Sequence, residues 1–353
     1  MPDPFLLIRA DATHRMGTGH VMRSLAIAQA WRSGFGPVAF VCADIPPSLS
    51  EQLSDENVET IHLDSAPGSV RDSLDLLEIA ADKQATAVIL DGYQFLSEYQ
   101  RVVKGCESVT MAIDDLGHLD CYMTDFVLNQ NLGADETLYP NRSKHTELLL
   151  GTEYALIRRE FLAAGKGRRE PGRSALRILV TLGGSDPDNI TGVVVEGLRH
   201  LDRPELQIHV IVGALNQHYE ELVRQLERDE RFLLLRSVRD MATEYVWADI
   251  VIAAGGSSNW EMCYFGLPRL IIVIAENQRD IAEQLEDAQV AINLGDALQL
   301  LPNHISEGVE MLIEDLPRRQ IAVKSGRKLV DGHGAVRCVH RLLNVSGPTD
   351  SCE

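Results

Sequence analysis

The amino-acid sequence predicts an α/β protein made of two doubly wound, Rossmann-like domains facing a cleft. Short apolar runs of strand length alternate with helix-like segments, which is the pattern of parallel sheets covered by helices. That pattern stops at a Gly-, Arg- and Pro-rich stretch, Ala164 to Ser174, and then starts again. In the first half the runs are Phe5 to Arg9, Val38 to Cys42, Ala87 to Leu90, Val109 to Ile113 and Phe126 to Leu128, with helix-like segments at 21–33 and 69–83. In the second half they are Leu176 to Thr181, Gln207 to Val212, Phe232 to Leu235, Ile250 to Ala253 and Leu270 to Val273, with a helix-like Thr191 to Leu201. The expected domains are therefore 1–170 and 174–345. Pro317 to Leu343 reads as helical with a break at Asp331-Gly332-His333-Gly334; this end of the chain either closes the second domain or packs back across the cleft. Ligands of such sheets bind beyond the carboxyl ends of the strands, so the loops that follow the apolar runs are where chemistry is expected.

Composition bounds the function. With 353 residues, 45% hydrophobic and 24% charged, the chain has the make-up of a soluble globular protein with room for two ordinary domains. A formal charge of -19 opposes binding to nucleic acid or to an anionic membrane surface, while a small anion can still bind a local amide-lined pocket. No apolar run approaches the roughly 20 residues of a membrane span, and the N-terminus lacks a basic-then-apolar secretory signal. A cytoplasmic protein without membrane insertion is expected. Cysteines 42, 106, 121, 263, 338 and 352 form no C-x-x-C pair, so reduced thiols are expected, with Cys263 in the core. Oligomeric state is not specified by any of these patterns.

Near the start, Arg9-Ala10-Asp11 follows an apolar run and leads into Gly17-Thr18-Gly19-His20, with Arg23 one helical turn further on. The glycines place a histidine where a helix begins, and a helix N-terminus disfavours added positive charge, which favours a neutral imidazole able to act as a base. Met22 stands where a dinucleotide fingerprint needs glycine, and no Walker lysine is present, so neither of these cofactor-binding motifs is found. Leu90-Asp91-Gly92-Tyr93 and Ile113-Asp114-Asp115-Leu116 end apolar runs and point acids and a phenol at the same sheet edge. Acids so placed either orient a base or cap the next helix. Asp114-Asp115 lacks a matching His or Glu spacing, so no metal site is expected. His14, His62, His118 and His333 read as solvated or satisfied by neighbours.

In the second half, Thr181-Leu182-Gly183-Gly184-Ser185-Asp186-Pro187 lies between a strand and a helix. Small residues there let backbone amides approach a ligand, and a tight turn with Asp186 or Asp188 as helix cap is the alternative. Ala254-Gly255-Gly256-Ser257-Ser258-Asn259-Trp260-Glu261 repeats that placement. Its amides and hydroxyls suit a diphosphate, while Glu261 is either an acceptor for two ribose hydroxyls or a carboxylate on a helix surface. Glu276-Asn277-Gln278 closes another strand with polar amides.

In order along the chain, Arg9-x-Asp11, Gly17-x-Gly19-His20-x-x-Arg23, Asp91-x-Tyr93, Asp114-Asp115-Leu116, Leu128-Asn129-Gln130-Asn131, Gly151-x-Glu153-Tyr154-Ala155-Leu156, Leu182 to Asp186, Gly255-Gly256-Ser257 to Glu261 and Glu276-Asn277-Gln278 resemble the UDP-2,4-diacetamido-2,4,6-trideoxy-β-L-altropyranose hydrolases, PseG, of pseudaminic acid biosynthesis. The resemblance implies a fold similar to GT-B glycosyltransferases such as MurG, whose C-terminal half holds UDP. It assigns the 255–261 loop to UDP and His20 to catalysis. The chain departs at Gly92, where the family often has histidine. Related members act in other modified-sugar and polysaccharide pathways, so the sugar is left open.

The expected reaction is metal-independent hydrolysis of a UDP-sugar with inversion. His20 is the base; Tyr93 positions sugar or water, and Asp11 and Asp91 orient His20. Arg9, Gly17, Gly19, Arg23, Gly183, Gly184, Gly256, Ser257, Ser258, Glu261, Asn277 and Gln278 are the expected substrate contacts, and no cofactor is expected. The rival is a glycosyltransferase with the same UDP site. A 2-epimerase with a hydrolytic second step and a catalytically silent UDP-sugar sensor are further alternatives.

Overall fold

The computed structural model describes residues 3–13, 17–184, 186–213 and 216–344. The chain divides into two compact units, one formed by residues up to Arg159 together with those from Gly332 onward, the other by Glu160–Asp331. Unit 1 holds strands β1 (Leu6–Ala10), β2 (Val38–Cys42), β3 (Glu59–His62), β4 (Ala87–Asp91), β5 (Val109–Ile113), β6 (Phe126–Asn129) and β7 (Glu147–Leu150), all parallel, in the order 3-2-1-4-5-6-7. Unit 2 holds β8 (Arg177–Thr181), β9 (Gln207–Val212), β10 (Phe232–Arg236), β11 (Ile250–Ala254), β12 (Arg269–Val273) and β13 (Ala291–Asp296), also parallel, in the order 10-9-8-11-12-13. Both are doubly wound sheets, as the alternation predicts.

Apolar residues drive both. β1, β2, β4, β11 and β12 are buried at every position, which is what a parallel strand between two helical layers requires. Local signals set the helix ends. The Ser69 hydroxyl accepts from the Asp72 amide at the start of Val70–Asp82, and Asp315 accepts from the Arg318 amide at the start of Leu316–Leu329. β3, β7 and β13, which the apolar-run pattern does not reveal, lie at sheet edges and are half exposed; β3 and β13 are broken by polar residues and β7 offers only Leu148 to Leu150.

The division of the chain differs from the expected 1–170 and 174–345 at both borders. Ala164 to Ser174 is not a free linker, because arginines fasten it to unit 2. Arg168 donates to the Tyr264 carbonyl, Arg169 to the Val246 and Trp247 carbonyls, and Arg319 reaches the Gly172 and Arg173 carbonyls. Pro317 to Leu343 is helical with the break where it is expected, and its two helices go to different units. Leu316–Leu329 stays in unit 2, while Gly334–Leu343 joins unit 1 and buries Ala335, Cys338, Val339 and Leu342 in the core that includes Leu25, Ala28 and Trp31 of the Gly19–Arg32 helix. Gly334 is required there: a Cβ would come within 2.3 Å of the Ala155 carbonyl oxygen and 2.4 Å of the Tyr154 carbonyl carbon. Gly334→Ala is therefore expected to destabilise unit 1 by about 1–3 kcal/mol. Hydrogen exchange should show lost protection in Gly19–Arg32 and Gly334–Leu343 and none in residues 177–329.

Candidate functional site

Strand order in unit 1 reverses between β1 and β4, which opens a crevice at their carboxyl ends. The register pairs Ala10 with Asp91, so the loops after both strands start at one level. His20 is the second residue of the Gly19–Arg32 helix, and its Nδ1 lies 2.7 Å from Oδ1 of the fully buried Asp91. The same carboxylate accepts from Arg23 Nε at 2.9 and 3.1 Å, from Arg23 Nη2 at 2.6 Å and from the Ser24 hydroxyl at 2.8 Å. Burial by itself opposes ionisation of Asp91, but the Arg23 charge, with the hydrogen bonds from His20 and Arg23, outweighs it and holds the carboxyl well below the usual carboxylate range. An ionised Asp91 has no proton to give, so the imidazole donates from Nδ1, and in a neutral ring the lone pair is then on Nε2. A carboxylate–imidazole pair of this kind is a proton acceptor with a fixed tautomer.

Arg23 extends the wiring. Its Nη1 also pairs with Asp115, which accepts from the Tyr93 hydroxyl at 3.3 Å, and the Tyr93 ring stands edge-on to His20 with centroids 5.1 Å apart. His20, Asp91, Arg23, Asp115 and Tyr93 thus close a loop of contacts. Gly17, at φ +73°, takes a left-handed conformation that other residues avoid, and among the described residues a Cβ on Gly17 or Gly19 would meet no atom within 4 Å. Open space lies beside both.

Other expected residues are placed differently. Asp11 does not orient His20: its Oδ1 accepts from Arg9 and from the Ala43 and Asp44 amides, and its Oδ2 accepts from the Gln94 amide at 3.0 Å. Arg9 is fully buried, forked onto Asp72 at 2.9 and 3.0 Å and bonded to Asp11 and the Val41 carbonyl, so it braces the sheet edge and presents no surface to a ligand. Arg23 is likewise committed to two aspartates and is not free to clamp a substrate. Asp114 accepts from the Leu116 and Gly117 amides and from Tyr122. His14 and Ser185 lie outside the described residues.

Unit 2 has its own reversal point, between β8 and β11. After β8, Gly183 (φ +96°) and Gly184 face open space, and Asp186 caps the next helix by accepting from the Ile190 and Thr191 amides at 2.8 and 2.9 Å. After β11, Gly256, Ser257 and Ser258 form the turn into the helix Ser258–Phe265, with Glu261 in its first turn. The turn is bracketed from below. Gln278 Oε1 accepts from the Gly255 amide at 3.1 Å and the Ile274 amide at 3.2 Å, while Asn277 is exposed. Gln278 therefore shapes the turn through its carbonyl oxygen.

A second bracket escaped the sequence reading. Fully buried Asn259 donates to the Ala254 and Gly256 carbonyls and accepts from Arg269 Nε at 2.7 Å, and fully buried Arg269 also donates to the Leu267 carbonyl and Cys263 Sγ. The available signal was an arginine at the mouth of the run Arg269-Leu-Ile-Ile-Val273, where only a fully bonded cation is tolerated.

Because Asp91 is held low in the folded chain, it binds protons less readily folded than unfolded. Its contribution to stability is complete above the unfolded value near 3.9 and is lost as pH falls through the lower, folded one. Asp91→Asn is expected to be less stable than wild type at pH 7, with the gap narrowing below about pH 4. Urea unfolding at pH 7, 4 and 2.5 followed through unit 1 checks this.

Residues 177–329 match the glycosyltransferase family 28 C-terminal domain. The chain is 29% identical over 195 residues to the spore coat polysaccharide biosynthesis protein SpsG of Bacillus subtilis, a match covering 55% of this chain and 57% of that one. It is 24% identical over 188 residues to the UDP-2,4-diacetamido-2,4,6-trideoxy-beta-L-altropyranose hydrolase of Campylobacter jejuni, covering 53% and 62%. These matches thus span less than two thirds of either relative's length. MurG of Acinetobacter baumannii superposes with a TM-score of 0.67 at 15% identity over 98% of this chain and 100% of its own. The two units are Rossmann-like α/β domains with the fold of GT-B glycosyltransferases such as MurG, and the family 28 similarity falls within unit 2.

Proposed function

We propose that this protein hydrolyses a UDP-sugar at its anomeric carbon, releasing UDP and a free modified amino sugar of inverted configuration for surface-polysaccharide or nonulosonate synthesis. The observation that carries this reading is the Asp91–His20 pair at 2.7 Å, which leaves Nε2 of a neutral His20 as the proton acceptor, one residue after Gly19. In the reaction His20 Nε2 takes a proton from water as the oxygen bonds to C1. The bond from C1 to the β-phosphate oxygen breaks, and its electron pair leaves with UDP. Ionised Asp91 stabilises the imidazolium that forms. The leaving diphosphate needs charge stabilisation, which the amides and hydroxyls of Gly256, Ser257 and Ser258 supply at the start of a helix, with Glu261 on the ribose. Tyr93, edge-on to His20, positions water or sugar.

The similarity to a UDP-sugar hydrolase and to a polysaccharide-biosynthesis protein supports this assignment. The family 28 match favours a second reading, transfer of the sugar to an acceptor hydroxyl with the same base. Turnover without added acceptor separates the two.

His20→Ala is expected to lower kcat by roughly 10²–10⁴-fold while leaving UDP affinity by calorimetry unchanged; near-normal turnover would remove His20 as the base. In ¹⁸O-water with a panel of UDP-sugars, the label is expected in the released sugar. Label in UDP would mean attack at phosphorus. Gly256→Val places a branched side chain against the turn and should weaken UDP binding by about tenfold or more, equivalent to about 1.4 kcal/mol.

A further inference from the structure

The loop after β5 carries a second imidazole whose surroundings prescribe its charge. His118 Nδ1 lies 3.3 Å from Asp114 Oδ1, and its Nε2 lies 3.3 Å from the backbone carbonyl oxygen of Tyr93. A carbonyl oxygen has only lone pairs. Asp114 likewise faces its other neighbours as an acceptor, from the Leu116 amide at 3.0 Å, the Gly117 amide at 2.9 Å and the Tyr122 hydroxyl. Burial and the adjoining Asp114 charge push the Tyr122 phenol up, which keeps it a donor. Making both ring contacts therefore takes a proton on each nitrogen, and a neutral imidazole can make only one of them.

The second contact falls on the backbone of a residue in the candidate site. The Tyr93 ring is edge-on to His118, with centroids 5.8 Å apart and planes at 83°, and edge-on to His20 on another side, at 5.1 Å and 88°. Tyr93 is thus held at its carbonyl and its ring by His118, and at its hydroxyl by Asp115. The charged and titratable groups around this arrangement are Asp114 and Tyr122 from the same loop, Tyr139 behind Asp114, Asp115 with Arg23 from the Gly19–Arg32 helix, and His20 across the Tyr93 ring. The His118 side chain is 30% exposed, so it exchanges protons with solvent.

We propose that His118, as an imidazolium, is a positioning residue that holds Tyr93 against His20. Activity then needs opposite protonation of two histidines: His20 neutral to accept a proton, and His118 charged to hold Tyr93. This rests on the hydrolytic reading for its kinetic consequence, but the clamp itself is a property of the free protein.

Two measurements test it. Long-range ¹⁵N–¹H correlation on ¹⁵N-histidine-labelled protein, with the His118 signals identified by their loss in His118→Gln, should show both ring nitrogens protonated across the pH range of maximal turnover. A single protonated nitrogen there overturns the clamp whatever the activity. In the pH profile of kcat/KM, wild type should show an alkaline limb that disappears in His118→Gln, with kcat lowered about tenfold, as expected for a lost hydrogen bond to a charged group, and KM little changed. A residue that only stabilises the fold would leave that limb in place, so its persistence in His118→Gln overturns the positioning role. If the ring is doubly protonated but no UDP-sugar is hydrolysed, the clamp stands and the hydrolytic reading falls.

Discussion

The carboxylate of Asp91 is the interaction on which unit 1's site depends. It sits fully buried at the end of β4, where only dense bonding makes a charge tolerable. That bonding comes from residues of one helix, since His20, Arg23 and Ser24 converge on its two oxygens. One buried anion therefore fixes how the first helix docks on the sheet, which tautomer His20 adopts, and which way Arg23 reaches to hold Asp115. Removing it would leave a buried guanidinium partly unpaired as well as an unoriented imidazole, so structure and chemistry share this point and cannot be altered separately.

Unit 2 solves a different problem with neutral groups. Its turn after β11 is fixed by two side-chain amides, Gln278 accepting from the Gly255 and Ile274 amides and Asn259 donating to the Ala254 and Gly256 carbonyls. Arg269 underlies that bracket. It is a fully buried cation bonded to an asparagine, a carbonyl and a thiol, and no carboxylate is among these partners.

Much of the fold was legible because buried parallel strands leave an unmistakable trace: β1, β2, β4, β5 and β6 and their counterparts in unit 2 are runs of apolar residues bounded by turns. β3, β7 and β13 were not: polar residues interrupt β3 and β13 and the apolar part of β7 is three residues long, whereas β10, also at an edge, keeps a run of four. The candidate site was legible as a set of loop positions and less so as a set of roles. Asp11 and Asp91 give the same signal, an acid at the end of a central strand, yet one binds backbone amides of the next loop and the other binds His20. Strand position tells which edge a side chain occupies, and only the packing of the following helix decides what it meets. Arg9 carries the same lesson, since a residue beside a glycine motif turned out to be sealed in the sheet. Gly92 shows the reverse case, where a departure from the family pattern has a local cause: the Gln94 amide lies where a larger side chain would sit, 2.7–2.9 Å from a Cβ at 92, and is bonded to Asp11.

The helix Gly334–Leu343 makes unit 1 a discontinuous domain, with Glu160–Asp331 inserted into it. During synthesis from the N-terminus, the inserted unit is complete before its host. At about 5–20 residues per second, the stretch between Arg159 and Leu343 takes roughly 10–40 s to emerge. Throughout that interval the nascent first unit has its sheet and its leading helix but not the face that Ala335, Cys338, Val339 and Leu342 will cover. The chain therefore exposes an apolar patch on the ribosome for a time set by the length of the insertion, and the helix Gly334–Leu343 is the one that retires it.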